Sequence, residues 1–251
     1  MEAIVDEQEI KKAIRQRYAA KAIEAGGCCG RSNPDSKDRA RRLYDETELA
    51  GLPDSVTSVS LGCGNPLALA ELRPGQVVLD LGSGGGIDCF LAASRVGDSG
   101  RVIGLDMSAE MVALATENAR KLGVNNVEFR LGEIEAIPVD SGTVDLVISN
   151  CVICLSPNKD MVFNEAFRVL KPGGRLHVSD EAWEDGRGYN GTDPVGDWTK
   201  CLAGAIERNV YLSKVRAAGF GPVEVVEEAR RERHSGEREG LLSIKVRAVK
   251  P

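Results

Sequence analysis

The chain has 251 residues, 42% hydrophobic and 28% charged, with a net charge of −6. That composition suits one large globular domain with a real core, and the negative balance argues against general nucleic-acid binding, because no basic surplus exists to neutralise phosphates. No run of roughly 18 apolar residues occurs to span a bilayer, and the charged start MEAIVDEQEIKKAIRQRY lacks a signal peptide's apolar core, so the expectation is a cytoplasmic protein without membrane attachment.

Residues 1 to about 25 read as an amphipathic helix, followed by the glycine-rich GGCCGRSNPDS. A second helix is expected over residues 37–50. From QVVLDL (76–81) the pattern changes to short continuous apolar runs, as in buried parallel strands. IDCFLAASRVG is a predicted helix and RVIGLDM a strand. SAEMVALATENARKLG is a helix with Ser108 as its N-cap. VEFRLGE and VDLVISN are strands, DMVFNEAFRVL a helix and RLHVSDEA a strand. Strands alternating with helices of this length predict an α/β fold, a doubly wound, mostly parallel sheet. Beyond Glu181, WEDGRGYNGTDPVGDW reads as a loop, and WTKCLAGAIER and YLSKVRAAGF as helices. PVEVVEEA and LLSIKVRAVK read as the last strands, around a charged turn RRERHSGEREG. The expected division is an N-terminal helical lead (1–60), a cofactor-binding core (61–182) and a C-terminal α+β portion (183–251).

VLDLGSGGGID places Asp80, Gly82, Ser83, Gly84 and Gly86 directly after the first strand. Glycines there allow a tight turn and close approach of a ligand to backbone. A dinucleotide enzyme would show G-x-G-x-x-G; this loop reads D-x-G-x-G-x-G. It resembles the first motif of class I S-adenosylmethionine methyltransferases, whose Rossmann-like fold is then expected. The resemblance makes Asp80 the acceptor for the cofactor's ammonium, directly or through water. Asp106, closing the second strand, would accept both ribose hydroxyls, with Met107 packing on adenine. Glu133 and Ile134 would meet the adenine edge. Asn150 and Cys151 are delivered to the C-terminal edge of the sheet, where open α/β folds bind ligands.

The seven cysteines are Cys28, Cys29, Cys63, Cys89, Cys151, Cys154 and Cys201, against two histidines, His177 and His234. In a reducing compartment permanent disulfides are not expected. Cys89, on the apolar side of its helix, reads as a small buried hydrophobe. SLGCGNP (60–66), SNCVICLSP (149–157) and WTKCLAGAI (198–206) together resemble the microbial arsenite methyltransferases. That resemblance implies that Cys63, Cys151 and Cys201 bind trivalent arsenic. It implies as substrate arsenite or its thiol conjugates, and as co-substrate a thiol reductant, glutathione or a thioredoxin-like protein. Arsenic(III) is thiophilic, and three sulfurs leave its lone pair free to attack the sulfonium methyl. No general base is then needed. Cys28 or Cys29 is offered as a resolving or gating thiol, and Cys29 joins the catalytic candidates. The chain departs from the family at Cys154, where Asn is usual. Cys154 reads either as a buried replacement, the favoured reading, or as an extra ligand. Trp183 and Tyr189 either line the site or pack, and Glu207 reads as solvated. A monomer is expected. The competing readings are another small-molecule C- or O-methyltransferase with structural cysteines, and a non-catalytic metalloid- or zinc-binding protein.

Overall fold

The computed structural model describes residues 6–26, 34–68, 70–230 and 239–251. The chain opens with α1 (Glu7–Gly26), α2 (Pro34–Leu43), α3 (Glu46–Leu49) and α4 (Asp54–Thr57). The single helix expected over 37–50 is broken at Tyr44–Asp45. Asp45 forms a capping box with Glu48, which starts a new helix instead of continuing the old one.

The core follows as β1 (Val77–Leu81), α5 (Ile87–Val96), β2 (Arg101–Asp106), α6 (Ala109–Leu122), β3 (Val127–Leu131), β4 (Val144–Asn150), α7 (Lys159–Val169) and β5 (Leu170–Trp183). α8 (Pro194–Trp198), α9 (Arg208–Ala217), β6 (Gly221–Arg230) and β7 (Leu241–Val249) complete it. The strands form one sheet in the order β3-β2-β1-β4-β5-β7-β6. The strand order reverses between β1 and β4, where a ligand crevice is expected at the carboxyl ends. β7 runs antiparallel between β5 and β6, so the C-terminal portion extends the same sheet.

Two apolar layers explain the continuous hydrophobic runs. On one face, Phe163 of α7 and Tyr211 and Val215 of α9 pack against Leu79, Val147 and Leu176. On the other, Phe90 and Ala93 of α5 pack with Val78, Val102 and Leu146, and Tyr44 and Val56 of the lead join that layer. Strands buried on both faces have no polar side to alternate. Ser108 caps α6 by accepting the Met111 N–H, as its position predicted.

Candidate functional site

The turn after β1 is shaped by glycine. Gly82 has φ 72°, and a Cβ there would run into the Val152 side chain. Gly84 has φ 52° with open space where a Cβ would point, so the backbone presents a bare concave wall. Gly84 donates its N–H to Asp106 Oδ2 at 3.0 Å, and Ser108 donates to Oδ1 at 2.9 Å. Burial raises the Asp106 pKa, while these backbone donors act the other way.

A cavity lies over this loop, lined by Gly82, Ser83, Gly84, Asp106, Met107, Ile134, Asn150 and Cys151. α1 closes it with Lys11, Ile14, Arg15 and Tyr18. Asp80 is 2% exposed and sits behind the loop, outside this lining, with the Cys89 Sγ donating to its carboxylate at 3.3 Å. Its pKa is raised by burial, then by the neighbouring Asp88. Asp88, in the first turn of α5, does line the cavity, and burial pushes it up to about 6. The Tyr44 hydroxyl donates to both Asp88 oxygens, at 3.0 and 3.1 Å. Three buried carboxyls whose ionisation is disfavoured thus surround one loop. A cationic ligand would reverse that penalty, and S-adenosylmethionine, with an ammonium and a sulfonium, fits the set.

Glu133 pairs with Lys11 at 2.8 Å and Arg15 at 3.3 Å on α1, and lines a neighbouring hollow rather than this cavity. Glu135, buried beneath it, lines the cavity and accepts the Ser156 hydroxyl at 2.6 Å. Asn150 borders the cavity, yet its side chain is spent on structure. Oδ1 accepts the N–H groups of Cys63 and Gly64, and Nδ2 donates to the Gly64 carbonyl at 2.7 Å.

Cys63, Cys151, Cys154 and Cys201 meet in one buried cluster with Ile10, Ile14 and Leu155, beside Tyr18, Met107 and Trp198. Cys63 and Cys151 are joined as a disulfide, with Cα atoms 5.7 Å apart. This departs from the expectation of reduced thiols, and the separation suits a bridge. Among the described residues no three metal-type side chains are poised around one point. A three-thiolate site therefore requires the bridge to open. The Cys201 thiol lies 3.8 Å from the Cys151 carbonyl. Among the described residues only Cys151 (φ 58°) and Cys201 (φ 67°) place a non-glycine side chain at positive φ, a conformation that costs about 1–3 kcal/mol and concentrates at functional sites.

The helix expected over 198–208 does not continue past Trp198. The chain turns at Cys201, and a Cβ at Gly204 would overlap the Cys154 carbonyl. Cys154 is fully buried, like Cys89, and burial raises its thiol pKa. Trp183 packs with Leu202, Ala205 and Leu241, and the Tyr189 hydroxyl donates to Asp197, so neither lines the cavity. Cys28, Cys29 and His234 lie outside the described residues.

Sequence reasoning missed Tyr44, Asp88 and Glu135, which line the cavity. Asp88 carried a signal, an acid in the first helical turn after a glycine loop. Tyr44 carried none, being brought in from the helical lead.

Comparison with known proteins gives four matches. Residues 72–219 match a family model described as a methyltransferase domain. A curated arsenite methyltransferase of Halobacterium salinarum is 43% identical over 240 residues, covering 88% of this chain and 59% of that protein. That of Mus musculus is 33% identical over 245 residues, covering 90% and 62%. This chain thus spans about three-fifths of those relatives' length. The crystal structure of an arsenic(III) S-adenosylmethionine methyltransferase from Chlamydomonas reinhardtii superposes with a TM-score of 0.72 at 36% identity, covering 81% of this chain and 72% of that one.

Proposed function

The chain belongs to the arsenite methyltransferase family, and we propose that it moves a methyl group from S-adenosylmethionine to trivalent arsenic held by Cys63, Cys151 and Cys201. One observation carries this reading: cysteines 88 and 50 positions apart converge in a single buried cluster that borders the glycine-loop cavity.

S-adenosylmethionine supplies an electrophilic methyl on a sulfonium. The chain's own part is to hold and align. Asp106 accepts from the ribose side, and Met107 and Ile134 border the adenine end. Glu133 serves that end if it shares its carboxylate with Lys11 and Arg15. Asp80 and Asp88 offset the positive charge. Once the Cys63–Cys151 bridge opens, three thiolates can replace the hydroxides of arsenite and leave the arsenic lone pair facing the cavity. Holding the two reactants close and aligned is the main source of rate, and no general base is invoked. His177 lines a separate hollow with Glu71, Arg175 and Arg247, away from the cavity lining, and has no part in it.

The reductant belongs to the same reading. Glutathione or a thioredoxin-like protein reopens the disulfide by thiolate attack, in the cytoplasm and on a monomer. The test is stoichiometry. Incubation with arsenite and a dithiol should form one S-adenosylhomocysteine for each methyl found on arsenic. S-adenosylhomocysteine formed without methylated arsenic would mean another acceptor.

A further inference from the structure

His177 is a buried polar side chain outside the methyl-transfer site. It is 3% exposed, and among the described residues neither ring nitrogen has a hydrogen-bond partner. With Arg175 and Arg247 it lines a hollow of about 280 Å³, which shares no residue with the glycine-loop cavity. We propose that this hollow is a binding site for a small tetrahedral oxyanion of the sulfate or phosphate type, held by the His177 ring N–H and the two guanidiniums.

The sheet brings the three side chains together. Alternate residues of a strand share a face, so Arg175 and His177 stand side by side on β5. β7 runs antiparallel beside it and sets Arg247 directly opposite His177. Arg175 donates to the Glu71 carbonyl at 3.0 Å, and among the described residues no carboxylate forms a salt bridge with it. Arg247 donates to the exposed Glu224 at 2.6 Å. A guanidinium carries several N–H groups in a fixed fork, so one contact each leaves donors for a ligand.

The charges favour an anion. Burial, then Arg73 and, more weakly, Arg247 lower the Arg175 pKa, while Glu71 and Asp145 oppose them. Asp145 is itself paired with Lys171. The same burial and the same two arginines, Arg175 and Arg247, disfavour a proton on His177. A bound anion reverses each of these penalties. It also supplies the acceptor that a buried ring N–H lacks. A carboxylate has two oxygens, which one guanidinium can take in a bidentate pair. Donors arriving from three side chains on two strands call for the extra oxygens of a tetrahedral anion. Arg247 reaches in from the exposed side, and its rotation admits the ligand to the ring.

The chain has two histidines, so imidazole NMR spectra of the isotope-labelled full chain carry two sets of signals, and the set lost in His177→Gln belongs to His177. The probe is inorganic sulfate, compared with sodium chloride at equal ionic strength. At pH 6 sulfate should move the His177 signals saturably, and chloride should not. Saturating sulfate should raise the proton affinity of the ring at least ten-fold. Arg175→Gln should raise the sulfate midpoint at least ten-fold while S-adenosylmethionine binding persists. His177 signals that ignore sulfate, that respond equally to chloride, or that saturate at the same sulfate concentration in Arg175→Gln overturn the inference. Should Arg175→Gln fail to fold, the comparison of sulfate with chloride on the wild type decides alone.

Discussion

The side-chain oxygen of Asn150 accepts the backbone N–H of Cys63 at 2.9 Å, tying the end of β4 to the arm that carries the first cluster cysteine. The same amide donates to the Tyr44 hydroxyl at 3.1 Å and to Asp88 at 3.3 Å. Asn150→Ala should therefore cost about 1–3 kcal/mol, the penalty for unpaired buried groups. It should lower methyl transfer at least ten-fold and change S-adenosylmethionine affinity only a few-fold. Denaturant melts, turnover and calorimetric titration separate these effects. A large loss of cofactor affinity with turnover otherwise intact would return Asn150 to the cofactor.

Asp106 has the opposite profile. Its carboxylate ends β2 and is oriented by the Gly84 and Ser108 N–H groups. Asp106→Ala should weaken S-adenosylmethionine binding on the order of 10–100-fold, the worth of hydrogen bonds to a charged group. Equal cofactor affinity in wild type and variant would rule out the ribose role.

Reduction should act as a switch on the site. With Cys63 and Cys151 bridged, the protein should bind S-adenosylmethionine but methylate no arsenite until a dithiol is added. Activity of oxidised protein without any thiol would show that Cys63 and Cys151 need not both be free.

His177 gives a pH prediction away from the chemistry. It is 3% exposed and, among the described residues, neither ring nitrogen has a hydrogen-bond partner. Burial, then Arg175 and Arg247, lower its pKa to about 4. The unfolded chain, titrating near 6.5, binds the proton more readily between these values, so acidification across that window removes stability. The full advantage of the neutral ring is present above pH 6.5. His177→Asn should lose up to about 3 kcal/mol less at pH 4.5 than at pH 7.5, because each pKa unit is worth about 1.4 kcal/mol. Urea midpoints at the two pH values measure this. An equal cost at both would mean the ring titrates normally in the fold.

The alternation of strands and helices was legible because strands buried on both faces and helices with one apolar stripe leave different periods. The glycine loop and Asp106 were legible because a tight turn after a strand leaves few residue choices. Asp80's burial against Cys89 was not, since only the fold reveals which way a strand-end side chain faces. Nor was the pairing of Glu133 with Lys11 and Arg15, which joins α1 to a loop more than a hundred residues later. Cys154 was ambiguous for a similar reason. Sequence alone does not show that Cys201 folds into the same cluster. The stretch WTKCLAGAI has helical composition, but the turn at Cys201 and the contact at Gly204 override that preference.

The most direct measurement separates and quantifies arsenic species after incubation with S-adenosylmethionine, arsenite and excess dithiol, with Cys151→Ser alongside wild type. The account predicts methylated arsenic from the wild type and none from the variant, with both binding the cofactor. Equal methylated product from both, or none from a wild type that binds cofactor, would contradict it.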